Sequence, residues 1–434
     1  MNSTSTVPES FISKATLARC DDWAFKVFLC STLFIVIFSV AAIHSWPPLF
    51  KHASILLACI LPVAMVVLVR VPTWFSEKKI PKEVLWVLLV FILGLISSLL
   101  SENPWPTAKS TVLFVASGPI IFIATQYLFE PTKNQKSFLL LTSLALLGLG
   151  FFGIYEHNYN YNNSEIGYQG ILLFQENPLP AGAILLLLSA SPLIFLRHKQ
   201  PTALKFLLLL SLAISVTSIL LLAKKGPILG FVVTLLFLLI LVDRKHIIFL
   251  LGLIFITGSL LYFSDTTLSK YERFLKLNSS VTHRAENYFF GLHVFKQNPI
   301  WGVGFKADLT PYFDDYDLKF SGKRQNYGYQ QFLELTHTFE NIFMGFLIEM
   351  GILFSAVYFG GVIYIFAVFF KKFRAPAQKN LAGMLTIAVL VGFAFISCTF
   401  DTLRFPNLNW LFHSLLGLMV NLPQNSSEKQ SESG

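Results

Sequence analysis

Long apolar runs, each about the length of one bilayer crossing, recur along almost the whole chain. Roughly 17 to 25 apolar residues cross a membrane as a helix, and these runs lack the period-2 alternation of a membrane barrel. The pattern predicts about twelve spans, near 26–44, 53–70, 84–100, 108–128, 137–155, 179–196, 203–223, 226–243, 246–263, 341–370, 382–400 and 406–421. The run at 341–370 fits either one long tilted helix or a broken one.

The composition supports the same class. Hydrophobic residues make up 54% of the chain and charged residues 13%, and the mean hydropathy is +0.62. These values exclude a soluble globular protein of this size, so we predict an all-α polytopic membrane protein. The four cysteines show no metal-type spacing, and we expect no metal site.

Basic residues orient the spans, because short cytoplasmic connections collect Lys and Arg. They concentrate in alternate connections, whereas 155–178 contains none. The asymmetry predicts cytoplasmic termini and explains the net charge of +9 without a nucleic-acid partner. The expected units are a bundle of about nine spans at 1–263, an exported loop at 264–340, further membrane helices at 341–421 and a disordered cytoplasmic tail at 422–434.

Lys224 and Lys225 form a very short connection on the predicted outer side, where the orientation rule gives them no purpose. Either an anionic ligand holds them there, or they extend toward lipid headgroups at a tight helical hairpin. Both interpretations stay open at this point.

The exported loop contains a predicted amphipathic helix from 281 to 297, with Ser280 as N-cap and Asn298-Pro299 as its end. Its apolar face has helical spacing, and it consists of Val281, Ala285, Tyr288, Phe289, Leu292 and Phe295. Arg284 falls at the edge of this face, near phosphate depth if the helix lies on the membrane surface. A guanidinium fork suits a phosphate or a diphosphate, although an interfacial Arg extending to the headgroups would look the same.

The rest of the loop mixes turn, aromatic and charged residues. Gly302 and Gly304 lie in an apolar turn that follows no strand, so a dinucleotide site is not indicated. Residues 306–335 interleave tyrosines with carboxylates, a mixture that suits either sugar recognition or an ordinary solvated loop.

The loop closes on candidate acid–base residues. His337 and Glu340 are three apart, so on a helix they would share a face, and a carboxylate beside an imidazole is the arrangement of a general base. Asn341 follows. Glu349 lies eight residues into the apolar run, about 12 Å deep in a continuous helix, and is expected to be protonated, paired with a cation such as Lys224 or Lys225, or exposed to water.

Several of these segments, in this order, resemble the O-antigen ligase and oligosaccharide polymerase superfamily of bacterial inner membranes. The matching segments are Ser101-Glu102-Asn103-Pro104-Trp105, Phe174 to Gly182, Ala223-Lys224-Lys225-Gly226, Arg284, Asn298 to Gly304, His337 to Asn341, and Glu349-Met350-Gly351. Together they cover most of the chain.

The resemblance implies a glycosyltransferase of lipopolysaccharide biosynthesis. It would transfer a glycan from undecaprenyl diphosphate to lipid A-core on the periplasmic face, without metal or cofactor. Arg284, Lys224 and Lys225 would then bind diphosphate, and His337 would be the base. The chain has Lys224-Lys225-Gly226 where the family usually has Ser-Arg-Gly, and many members carry His at the position of Glu340, so Glu340 is an alternative base.

Three other functions remain open on the sequence. A protein O-oligosaccharyltransferase and a repeat-unit polymerase use the same chemistry on other acceptors. A secondary transporter would instead place charges near the midplane of several spans and repeat its halves, and the sequence offers mainly Glu349 and no convincing repeat.

Overall fold

A computed structural model describes residues 14–37, 80–162, 178–196, 200–222, 224–241, 280–313, 316, 339–374 and 380–422. This part of the chain is helical, without a strand, as the predicted fold class requires. Its helices are α1 (Lys14–Ile37), α2 (Lys82–Leu99), α3 (Pro104–Ser117), α4 (Pro119–Leu128), α5 (Thr132–Asn162), α6 (Pro178–Phe195), α7 (Thr202–Leu221), α8 (Lys225–Leu241), α9 (Ser280–Gln297), α10 (Ile342–Arg374), α11 (Leu381–Ser397) and α12 (Pro406–Asn421). Two short 3₁₀ turns cover Thr310–Tyr312 and Thr402–Arg404.

Five helical segments in this part of the chain are long and apolar enough to cross a membrane. They are Lys82–Leu99, Pro104–Leu128, Thr132–Asn158, Thr202–Leu221 and Ile342–Phe373, and three shorter apolar helices occur at Leu179–Phe195, Lys225–Leu239 and Leu381–Ser397. The membrane-helix character is therefore confirmed, whereas the number twelve stays a prediction. The expected spans 53–70 and 246–263, and residues 423–434 of the expected tail, lie outside the described residues.

The span predicted at 108–128 is divided into α3 and α4. Pro119 has no N–H to donate, and Gly118 leaves helical geometry (φ −130°, ψ −90°). The amide of Asn409, on α12, donates to the Phe114 carbonyl at 2.8 Å. A side chain from a neighbouring helix thus satisfies a backbone group at the break, as the membrane interior requires.

The core is built around α12, which is short but buried on nearly all sides from Asn407 to Met419. Trp410 stacks on Phe28 with ring centroids 5.4 Å apart and donates its indole N–H to the Thr32 hydroxyl at 3.1 Å. A helix that is buried all round belongs to the centre of a bundle.

Helices α8 and α11 pack closely through small residues. A Cβ added at Gly230 would collide with the Gly392 carbonyl and Ile396, and Thr234 would block a Cβ at Gly392. Small residues allow helix axes to approach where lipid offers no hydrophobic driving force.

Helix α10 turns back on itself at Gly351, which has φ 76° and ψ 173°. The rings of Phe343 and Phe359 lie 4.8 Å apart, whereas sixteen residues of straight helix would separate them by about 24 Å. The helix therefore consists of a first arm (342–350) and a second arm (352–374). Of the two expectations for 341–370, the broken helix is confirmed.

Candidate functional site

The turn at 298–306 fills the break in α10. The N–H of Gly304 donates to the Glu349 carbonyl at 2.7 Å, the N–H of Val303 to Ile348 at 3.2 Å, and the N–H of Ile352 to Pro299 at 3.0 Å. These bonds replace the helical hydrogen bonds that the break removes, so the buried backbone stays paired.

Gly302 and Gly304 have a structural role in this contact. Their φ angles are +72° and +102°, in the region that favours glycine. A Cβ at Gly302 would collide with the Glu349 carbonyl, and one at Gly304 would lie 2.6 Å from the Ser101 side chain. The two glycines thus let the turn approach both α10 and the connection between α2 and α3.

Glu349 is buried at the end of the first arm and is held by two donors. Its Oε1 lies 2.9 Å from Arg404 Nη1, and its Oε2 accepts the Lys306 backbone N–H at 3.0 Å. The expected pairing with a cation is therefore present, but the partner is Arg404 rather than Lys224 or Lys225. The first arm is continuous through Glu349, so the rise of about 12 Å from Asn341 holds along the helix.

Arg404 also contacts Asp401, with 3.4 Å between Nη1 and Oδ2. Burial raises the pKa of the Asp401 carboxyl, while Arg404 and the Asn341 backbone N–H oppose this shift. Its Oδ1 is buried without a hydrogen-bond partner of acceptable geometry. Neither residue was selected on sequence, although an Arg in a short connection on the predicted outer side is the same signal that singled out the lysine pair.

Lys306 closes this cluster from the turn. Its ammonium group donates to the Arg404 carbonyl at 3.1 Å and lies 5.8 Å from the Phe305 ring centroid. The Lys306 side chain keeps some exposed surface. Desolvation of its ammonium group and the nearby Arg404 charge lower the pKa of Lys306 to about 8. Lys306, too, was absent from the residues selected on sequence.

Arg284, near the start of α9, pairs with Glu340. Its Nε lies 2.7 Å from Glu340 Oε2, and the two side chains are 36% and 34% exposed. Two residues proposed for different tasks are thus in direct contact. His337, the other candidate base, lies outside the described residues.

Asn341 starts the first arm of α10. Its Oδ1 accepts the N–H groups of Phe343 at 2.9 Å and Met344 at 3.3 Å, the pattern of an N-cap. Its Nδ2 donates to the Tyr288 hydroxyl of α9 at 3.3 Å. Asn341 therefore connects α9 to the beginning of the broken helix.

The extent of α9 agrees with its predicted bounds. Phe289 and Leu292, from the predicted apolar face, are exposed in the protein, and the placement of this face on the membrane surface stays a prediction. Phe290 and Val294 are fully buried because the loop forms a core of its own, in which Phe290 stacks on Phe313 at 4.1 Å.

Tyr316 belongs to the same loop core. It is buried, and its hydroxyl donates to Glu286 Oε1 at 2.7 Å. Burial and the Glu286 carboxylate raise the pKa of the phenol. Tyr316 is one of the aromatic residues that suggested sugar binding, but its contacts show that it stabilises the loop. Most of the others, from 317 to 335, lie outside the described residues.

Lys224 and Lys225 are exposed at the start of α8. The next residue, Gly226, packs against Thr399, which precedes Asp401 by two positions. This contact brings the lysine pair to the turn that carries Arg404.

Residues 210–359 match a family model described as O-antigen ligase. No curated protein matches the chain. The resemblance to the O-antigen ligase superfamily is therefore confirmed over this range, which contains every site residue selected on sequence. Asp401 and Arg404 lie beyond it.

Proposed function

We propose that this chain, which carries the O-antigen ligase domain at 210–359, transfers a polysaccharide from undecaprenyl diphosphate to a sugar hydroxyl of lipid A-core. The reaction takes place on the periplasmic face of the bacterial inner membrane and needs neither metal nor cofactor. The observation that supports it is the contact between Arg284 and Glu340, since Glu340 directly precedes Asn341 and follows His337 by three residues in the chain.

The chemistry requires one bond to form and one to break. The acceptor oxygen attacks the anomeric carbon of the glycan, the bond from that carbon to the diphosphate oxygen breaks, and undecaprenyl diphosphate leaves. Negative charge then grows on the diphosphate, where fixed cations contribute most to the rate. Arg284 is suited to this task because Glu340 holds only the Nε of Arg284. The terminal nitrogens of Arg284 bond to no other described residue, so they can donate to a diphosphate.

His337 is the proposed base that takes the proton of the acceptor hydroxyl. An imidazole changes its charge near neutral pH, which suits proton transfer. Glu340 remains the alternative, but its Oε2 contacts Arg284 Nε at 2.7 Å, a position from which it can orient the guanidinium. We therefore assign Glu340 to orienting the guanidinium.

The remaining residues support this centre. Lys224 and Lys225 add positive charge, which attracts the anionic donor at long range. Asn341 caps the first arm of α10, while Gly302, Gly304 and Glu349 fix the turn against its other end. Substitutions at these structural positions should therefore reduce activity by displacing the reacting groups, not by removing the group that transfers the proton.

The proposal is tested by complementation of a bacterial strain that lacks its O-antigen ligase. Arg284→Ala, His337→Ala and Lys225→Ala should each reduce the lipopolysaccharide ladder on a gel. Lys296→Ala is the matched control, because it removes an exposed cation from the last turn of the same helix as Arg284. Full ladders from both Arg284→Ala and His337→Ala would refute the mechanism.

The acceptor is identified with the purified protein and a lipid-linked glycan. Glycan attached to lipid A-core supports the ligase, whereas attachment to a protein hydroxyl or to a second repeat unit would identify a protein O-oligosaccharyltransferase or a polymerase. Transport of the lipid-linked glycan without any covalent product would refute the enzyme in favour of a transporter.

A further inference from the structure

An apolar groove lies between the second arm of α10, α11 and α12. Its volume is about 380 Å³, and its walls include Phe359, Phe366, Leu390, Ala394 and Phe412. This is near the lower end of the about 300 to 1,000 Å³ typical of ligand pockets. The walls are apolar and largely aromatic, so the groove suits a hydrocarbon rather than a sugar or an ion.

The groove begins at the candidate site. Ile342 and Leu403 contribute to its lining, and they directly follow Asn341 and directly precede Arg404 in the chain. From there it extends along α11 from Ser397 to Leu390, a distance of about 10 Å at 1.5 Å per residue. A molecule filling it would have one end at the charged cluster and the other beside the middle of α11.

The charges at the mouth distinguish among membrane lipids. Among the groups that the contacts above bring to this end, Glu340, Glu349 and Asp401 are each paired with an arginine. The lysines at 224, 225 and 306 add further positive charge. A lipid with a multiply charged anionic head is therefore preferred over a zwitterionic phospholipid. Flat, methyl-branched hydrocarbon also packs well against aromatic faces, which phenylalanines provide along this groove.

We propose that the groove binds the first isoprene units of the polyprenyl chain of the donor, next to the diphosphate. This assignment rests on the proposed function and adds the position of the lipid. The groove would then have two tasks. It binds the lipid chain, and by holding that chain directly behind the diphosphate it also fixes the anomeric carbon against the acceptor. Positioning of this kind is a large source of rate in bimolecular reactions.

The groove is tested by filling it. Ala394→Trp narrows the groove, and Leu236→Trp is the matched control because Leu236 is exposed on α8 and outside the groove. The full-length protein is assayed in phosphatidylethanolamine and phosphatidylglycerol vesicles, with undecaprenyl diphosphate and inorganic diphosphate as separate competitors of the donor.

Ala394→Trp should weaken inhibition by undecaprenyl diphosphate by about tenfold or more, because each buried CH₂ group contributes a factor of about four. Inhibition by inorganic diphosphate should stay unchanged, and Leu236→Trp should change neither. Unchanged inhibition by undecaprenyl diphosphate would overturn the assignment, as would equal weakening for both competitors, which would place the effect at the head group.

A second measurement covers the case that Ala394→Trp does not fold. A photocrosslinking amino acid in place of Phe395, which lines the groove, should capture undecaprenyl diphosphate, and one in place of Leu236 should not. Capture of phospholipid alone at Phe395 would overturn the assignment. Absence of glycan transfer by the unmodified protein would instead refute the proposed function, and competitor binding would still report on the groove.

Discussion

Replacing Arg404 by methionine should destabilise the protein more than any other single change at the site. Arg404 is 9% exposed and Glu349 1% exposed, with 2.9 Å between Nη1 and Oε1. Methionine keeps much of the side-chain length but removes the charge. Glu349 would then retain the Lys306 backbone N–H, and Asp401 would lose its contact with the guanidinium.

The expected cost follows from what is left behind. At 2.9 Å and an effective dielectric constant of about 20, the attraction is about 6 kcal/mol, which is largely cancelled by several kcal/mol of desolvation for each ion. The pair itself is therefore near neutral. Removing one partner leaves a buried carboxylate uncompensated and costs about 3 to 5 kcal/mol.

The assay is thermal unfolding of the full chain in detergent, followed by the loss of monodisperse protein. With about 2 °C per kcal/mol for a large chain, Arg404→Met should lower the apparent Tm by roughly 6 to 10 °C. The double variant Arg404→Met with Glu349→Gln should recover a large part of this loss, because the glutamine carries no charge. Coupling between the two changes isolates the ion pair from packing effects.

An exposed ion pair provides the matched control. Lys26 and Asp22 lie 2.6 Å apart on α1 and are largely solvent-exposed, so Lys26→Met should leave the apparent Tm unchanged. If Arg404→Met behaved like Lys26→Met, or if the double variant were no more stable than Arg404→Met alone, the argument from a buried, uncompensated carboxylate would be refuted.

Three further changes test neighbouring features. Gly302→Ala should prevent the turn from contacting the Glu349 carbonyl and lower both Tm and transfer, and unchanged values would contradict the close approach. Asn409→Leu should cost about 1 to 3 kcal/mol, since the buried Phe114 carbonyl loses its donor; an unchanged Tm would contradict this. Lys306 should lose its proton as pH rises through about 8, so inhibition by inorganic diphosphate should weaken from pH 7 to 9. The Lys306→Arg variant keeps its charge over this range and should not show the pH dependence. A parallel decline of inhibition in both proteins would exclude Lys306 as the cause.

The sequence predicted the helical segments well because each carries its own signal. The bounds of α9 follow from a local pattern that ends at Asn298-Pro299, and the structure places its last residue at Gln297. Arg284 was expected at the edge of a face, and it is partly exposed. Features that depend on neighbouring residues along the chain are accessible to this kind of reasoning.

Features that depend on distant residues were left open or missed. A glycine at 351 within an apolar run is compatible with a continuous helix, and the break is stabilised by a turn some fifty residues earlier. The burial of Phe290 on α9 was not predicted, because Phe290 is covered by Phe313 of the same loop, a partner that helical periodicity does not contain. Arg404 was overlooked because its carboxylate partner lies in another helix.

The first arm of α10 connects two ion pairs of opposite character, about 13 Å apart along a nine-residue helix. Glu340, just before this arm, holds Arg284 in a pair that is one-third exposed, and such pairs contribute little to stability. At the other end, Glu349 and Arg404 form a buried pair that is costly to break. Arg284 can therefore bind a diphosphate through its terminal nitrogens while Glu340 holds its Nε, and the buried pair keeps the arm in place. Weakening the exposed pair should change donor binding more than stability, and weakening the buried pair should change both.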